Sequence, residues 1–92
     1  MEKVKARVSF INKDSGGRVP PPEGTRYAPI IRFEELHGNW SCVFICTPTK
    51  NKEMDVEIGF LNREEAPNHL LIKGLEFELF EGTKKIAKGI VL

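Results

Sequence analysis

Hydrophobic and polar residues alternate with a period of two over most of the chain. Val4, Ala6, Val8 and Phe10 alternate with Lys3, Lys5, Arg7 and Ser9, the pattern of a strand with one buried face and a basic outer face. Residues 27–33 place Tyr27, Pro29, Ile31 and Phe33 on one face. Pro29 has no N–H to donate to a ladder, which points to a sheet edge or a bulge. Residues 39–47 alternate on Trp40, Cys42, Phe44 and Cys46. Met54, Val56, Ile58 and Phe60 alternate with Asp55, Glu57 and Gly59, and Leu75, Phe77 and Leu79 with Glu76 and Glu78. Residues 85–92 make a sixth strand, and 69–72 is a candidate for a short further one.

The connectors carry turn chemistry. Ser15-Gly16-Gly17 and Pro20-Pro21-Pro22-Glu23-Gly24 form one long loop, in which paired glycines permit positive φ and three prolines favour extended backbone. Gly38-Asn39 and Glu81-Gly82-Thr83 stand where hairpin turns belong. Only residues 63–68 have helical character, and Pro67 limits it to about one turn. Short strands separated by turns, without a convincing helix, point to a small all-β barrel or sandwich of six or seven strands. A closed sheet removes exposed edges.

The chain has 92 residues, enough for a single domain (residues 1–92) with one modest core. Hydrophobic residues are 40% of it and the net charge is +1, which is too apolar and too neutral for a disordered segment. No apolar run approaches the roughly 18 residues of a spanning helix. Met1 to Arg7 has no apolar signal-peptide region, so a soluble cytoplasmic protein without a membrane partner is expected. Cys42 and Cys46 lie four apart on one predicted strand, roughly 13 Å along it. That is beyond the reach of a disulfide of about 7 Å, so both read as buried or half-buried structural thiols. His37 and His69 show no ligand spacing, and no metal site is expected.

Enzyme signals are nearly absent. There is no phosphate-binding loop and no dinucleotide fingerprint. Asn12-Lys13-Asp14 and Asn51-Lys52-Glu53 lack the Asp that a guanine-binding Asn-Lys-x-Asp sequence needs, so no nucleotide is expected. Glu34-Glu35 and Glu64-Glu65 are adjacent carboxylates, and neighbouring side chains on a strand or helix point apart. They read as solvated surface charge. The sequence predicts a non-catalytic protein without a cofactor.

Three segments are more specific. Residues 6–10 run into Lys13-Asp14-Ser15-Gly16-Gly17-Arg18 and a proline-bearing loop. Arg26-Tyr27-Ala28-Pro29 follows. Near the end stands Phe77-Glu78-Leu79-Phe80-Glu81-Gly82-Thr83, then Lys84-Lys85-Ile86-Ala87-Lys88-Gly89-Ile90-Val91. This order resembles the C-terminal (third) β-barrel domain of elongation factor Tu over nearly the whole chain. The resemblance implies a stand-alone Greek-key β-barrel of mostly antiparallel strands with neighbouring first and last strands. In that family the Gly-Gly-Arg loop and the closing Glu-Gly turn lie near the T-stem of tRNA. By position this implicates Gly16, Gly17, Arg18 and Gly82, with Lys84 and Lys85 beside them. Val19, Ala28-Pro29-Ile30 and Phe80 depart from the family's polar residues. The GTPase domain and the second barrel of that family are missing.

Each candidate residue has two readings. Gly16 and Gly17 serve a turn or form a nest of backbone amides for a phosphate. Arg18 contacts phosphate or clamps loop carbonyls. Trp40 reads as core, and Tyr27 as packed against the barrel with its hydroxyl at the rim. Phe80, out of phase with Phe77 and Leu79, lies buried under a loop or is exposed to stack on a base or a protein. The net charge conceals a division: residues 1–32 carry seven basic and three acidic groups, 33–81 four and ten, and 82–92 three and none. With neighbouring terminal strands, Lys3, Lys5, Arg7, Lys84, Lys85 and Lys88 would gather on one basic face or pair across the sheet with Glu76 and Glu78. Two functions follow: a binding module for tRNA or another structured RNA, or a protein-interaction domain, as an adaptor or a homodimer.

Overall fold

The computed structural model describes residues 3–34, 36–62 and 64–92, and His37 by its backbone alone. Glu35, Arg63 and the first two residues lie outside the described part, and with them the expectations that rest on them. Among the described residues seven strands follow one another: β1 (Val4–Phe10), β2 (Arg26–Tyr27), β3 (Ile30–Phe33), β4 (Leu36–Ile45), β5 (Glu53–Phe60), β6 (Glu76–Glu81) and β7 (Lys84–Val91). All pairings are antiparallel. The spatial order is β2-β4-β3-β6-β7-β1-β5, and β4–β5 pairing closes six of the strands into a barrel with β2 as the extra one. Strands β3, β4 and β5 follow in hairpin succession and β6 returns beside β3, the Greek-key arrangement. No described helix is long and apolar enough to cross a membrane.

The alternating positions become the barrel interior. Ala6, Val8 and Phe10 are buried, as are Ile31, Phe33, Cys42, Phe44, Cys46, Met54, Val56, Ile58, Phe60, Phe77, Leu79, Ile86, Ala87 and Val91. Every second residue of a strand faces inward, so a period-two sequence fills a closed sheet without further instruction. Both cysteines are free and buried. Burial pushes the Cys42 thiol up to about 12 and raises that of Cys46. Trp40 is half-buried and packs against the core, with its ring 6.0 Å from Phe33. Gly89 stands opposite Phe77, and a Cβ there would lie 2.2 Å from the Phe77 ring. The buried Phe77 ring therefore lies over a position only glycine can fill.

Three expectations change. The predicted strand over 27–33 is divided at Ala28-Pro29. The pairings Arg26↔Ile45 and Ile30↔Ser41 lie on one register line along β4, so β2 and β3 are one strand path that Pro29 interrupts for want of a donor. Gly38 and Asn39 belong to β4 and make no turn. Phe33 pairs with Leu36, so the chain reverses earlier, and Gly38, at φ +146, instead lets the Trp40 ring approach within 3.0 Å of where its Cβ would be. Residues 69–72 are not a strand. Asn68–Leu70 forms a 3-10 turn behind Pro67, because the Leu70 and Leu71 N–H groups find local carbonyl partners at Pro67 and Asn68.

Candidate functional site

Residues 11–25 fold over one end of the barrel against the β6–β7 turn. The loop begins with a 3-10 turn at Lys13–Ser15, where the Asp14 N–H donates to the Asn12 side chain. Gly16 ends it at φ +90, a left-handed conformation that glycine adopts without a Cβ penalty. Gly17 is buried, and a Cβ there would lie 1.9 Å from the Ile11 carbonyl oxygen. The loop amides are committed internally. The Ser15 and Gly17 N–H groups donate to the Asn12 carbonyl, Gly16 to Lys13, and Arg18 to Ile11. Amides spent in this way do not form a concave nest for phosphate, so the two glycines serve the turn.

Arg18 is half-buried and clamps the loop. Its Nε donates to the Val19 carbonyl at 2.9 Å, and its Nη1 donates to Glu81 Oε2 at 2.5 Å. The Tyr27 hydroxyl donates to that same Glu81 oxygen, and the Arg18 guanidinium lies over the Tyr27 ring, 5.3 Å from its centre. Tyr27 in turn stands edge-on to Phe44 at 5.6 Å and near Phe10 at 6.4 Å. The clamp thus joins the loop, β2 and the end of β6, three segments far apart in sequence, and seats them on the core aromatics. Partial burial alone would raise the Glu81 carboxyl, but hydrogen bonds from Tyr27 and Arg18 and the charges of Arg18 and Lys84 hold it below its ordinary range. Burial, then the hydrogen bond and charge of Glu81, push the Tyr27 hydroxyl up against the opposing effect of Arg18.

The candidate residues do come to one end of the barrel, with different employment. Glu81 pairs with Lys84, leaving Gly82 and Thr83 as a two-residue turn, and Gly82 has φ +62, as a tight hairpin turn requires. Lys84 is exposed. Lys85 is half-buried and donates to Glu78 at 2.9 Å. Phe80 is half-buried under the Arg32 guanidinium, 4.9 Å from its ring centre. A bulge between Leu79 and Phe80 explains why its outward phase does not leave it open. Glu81 is the residue that sequence reasoning passed over. Its signal was a lone carboxylate at the turn, with the lone tyrosine and the loop arginine each carrying a donor for it.

Charge is distributed differently from its order along the chain. Strand β1 does lie beside β7, but its other neighbour is β5, which sets Glu57 opposite Lys5 and Asp55 opposite Arg7. The Arg7 Nε donates to Asp55 at 2.8 Å, and that bond holds the Asp55 carboxyl below its ordinary range. Glu78 stands opposite Lys88. The two basic terminal strands are therefore neighbours, flanked on the barrel surface by the acidic strands β6 and β5. Among the described residues no group of three His, Cys, Asp or Glu could hold a metal ion. Fold and site together define a small closed antiparallel β-barrel with a loop clamped across one end. No family model and no curated protein matches the chain.

Proposed function

We propose that the chain is a non-catalytic binding module of the cytoplasm, and that its working surface is the clamped loop with the β6–β7 turn, presented to a protein partner. One observation carries this reading. Arg18 is neutralised by Glu81 and the loop amides are used within the loop, while Val19 beside them is 63% exposed. A rigid loop that projects an apolar side chain has already met the ordering cost of binding. The interleaved charges of β1 and β5 weaken the long-range field that would draw in a polyanion. The ionisable groups that gather at the site are paired with one another, and both thiols are buried with raised pKa values, which argues for binding over catalysis. Free thiols fit a reducing compartment.

Structured RNA is the second reading, favoured by the resemblance to the third domain of elongation factor Tu and by exposed Lys84 beside the turn. One experiment separates the two. A photo-crosslinker at position 19 is carried on the full chain in cell extract, and bulk tRNA is titrated in parallel at low and high salt. The protein reading expects a discrete crosslinked protein that survives nuclease and salt and is competed away by the unmodified chain but not by its Val19→Ser variant. A tRNA shift that weakens steeply with salt and is lost with Lys84→Glu, without a protein crosslink, overturns it.

A further inference from the structure

Strand direction sorts the loops of the barrel into two ends. β1, β4 and β6 finish where β5 and β7 begin, so residues 11–25, 46–52 and 82–83 gather at one end. Main-chain hydrogen bonds tie them to their neighbours there: the Phe10 N–H donates to the Lys52 carbonyl, Ile11 to Ile86 and Gly24 to Cys46. This clamped end holds Lys13, Arg26, Lys50, Lys52 and Lys84, all exposed. None of them belongs to an ion pair among the described residues. Arg18 and Lys85, by contrast, are taken up by Glu81 and Glu78. Asp14, Glu23 and Glu53 are the acids that remain there among the described residues, so the free cations are in excess. Asn51 and Lys52, at φ 53 and 64, form a tight hairpin turn that carries Lys52 at its tip. At the other end Glu34, Glu64, Glu65 and Glu76 outnumber Lys3 and Lys73 among the described residues. The wall of the barrel sets β1 against β5, and the surplus of each sign lies at the ends.

We infer that the clamped end receives an acidic segment of a partner protein, with an apolar side chain of that segment against Val19 and its carboxylates among the free cations. The inference rests on the protein reading above and adds the partner's chemistry. Val19 is 63% exposed, and an apolar contact within a polar rim is the ordinary anatomy of a protein interface. Free cations spread over several loops attract an acidic partner from a distance and fix its orientation on contact. Nucleic acid would meet the same charge but little else. The Tyr27 and Phe80 rings lie under Arg18 and Arg32, so guanidinium groups occupy the faces on which a base would stack. The amides of residues 15–18 are spent within the loop and leave no cradle for phosphate.

The test is a selection of displayed short random peptides against the full chain, with bulk tRNA titrated in parallel. Enriched peptides are expected to carry Asp or Glu on both sides of an apolar residue, and to associate more slowly as salt rises. Lys13→Glu and Arg26→Glu alter exposed side chains that have no ion-pair partner, and each is expected to weaken binding about tenfold. Lys73→Glu makes the same change of charge at the other end and is expected to leave binding as it is, which separates a local site from net charge. Peptides without acidic bias, bound equally by Lys13→Glu and Arg26→Glu but lost with Val19→Ser, overturn the inference and leave the protein reading standing. Peptides weakened as much by Lys73→Glu also overturn the inference. So does a selection that enriches no peptide, and a tRNA complex lost on Lys13→Glu then overturns the protein reading as well.

Discussion

Tyr27 is the only tyrosine in the chain, so its ultraviolet titration reads the clamp directly. Burial and Glu81 raise it, and phenolate absorbance is expected only above the ordinary value of 10.0. Glu81→Gln removes the hydrogen-bonded charge but leaves the burial, so the midpoint should fall part of the way back. A native midpoint at the ordinary value means that the clamp does not form in solution. The two loop glycines separate a conformational role from a packing role. Gly16→Ala meets open space but keeps a positive φ, which costs about 1–2 kcal/mol. Gly17→Ala drives a Cβ against the Ile11 carbonyl and is expected to cost more, about 3 kcal/mol, by urea denaturation. Both positions read as turn glycines in the sequence. Only the contact with Ile11 distinguishes them, and residues six apart give no sign of that contact until the loop closes.

At the level of elements, the period-two segments show how far local pattern reaches. β1, β5 and β7 lie within a residue or two of where alternation places them, because inward and outward positions of a strand are set by the pleat itself. Pro29 signalled an edge or a bulge on the β2–β3 path, but not that the strand would divide there. The reversal ahead of Gly38 was not legible, because a glycine accommodating the Trp40 ring looks the same in sequence as a glycine in a turn. The clamp is an inter-element device, and its contribution should depend on pH. Its sign follows from Glu81: the folded carboxyl lies below its ordinary value of 4.5. Its stabilisation is therefore complete above that value and is lost as pH falls through the folded pKa. Thermal unfolding of wild type and Glu81→Gln across an acid series should show wild type ahead at neutral pH and the gap closing below about pH 4.5. A constant gap would mean that the charge of Glu81 plays no part.

For the whole molecule, closure makes the interior cooperative. Cys42 on β4 and Cys46 just past its end are at most 1% exposed. A thiol reagent should therefore label both only as fast as the barrel opens, with equal rates in native buffer and immediate reaction in denaturant. Labelling of Cys46 alone would show the β2–β4 end opening separately. Closure also sets the surface field. The segment charges left one basic face or pairing across the sheet open, and the barrel brings β5 beside β1 and pairs Asp55 with Arg7. Such exposed pairs add little stability, but they set acidic groups directly beside the basic ones of β1.

The amino-acid sequence by itself determined the all-β class, the inward positions of most strands, the free cysteines and the turn at Gly82, because each depends on neighbours a few residues away. The order of strands around the barrel, the Arg18–Glu81–Tyr27 clamp and the pairing of Arg7 with Asp55 were decided by tertiary structure. Each joins residues tens of positions apart, and their meeting is settled by the closure of one sheet on itself.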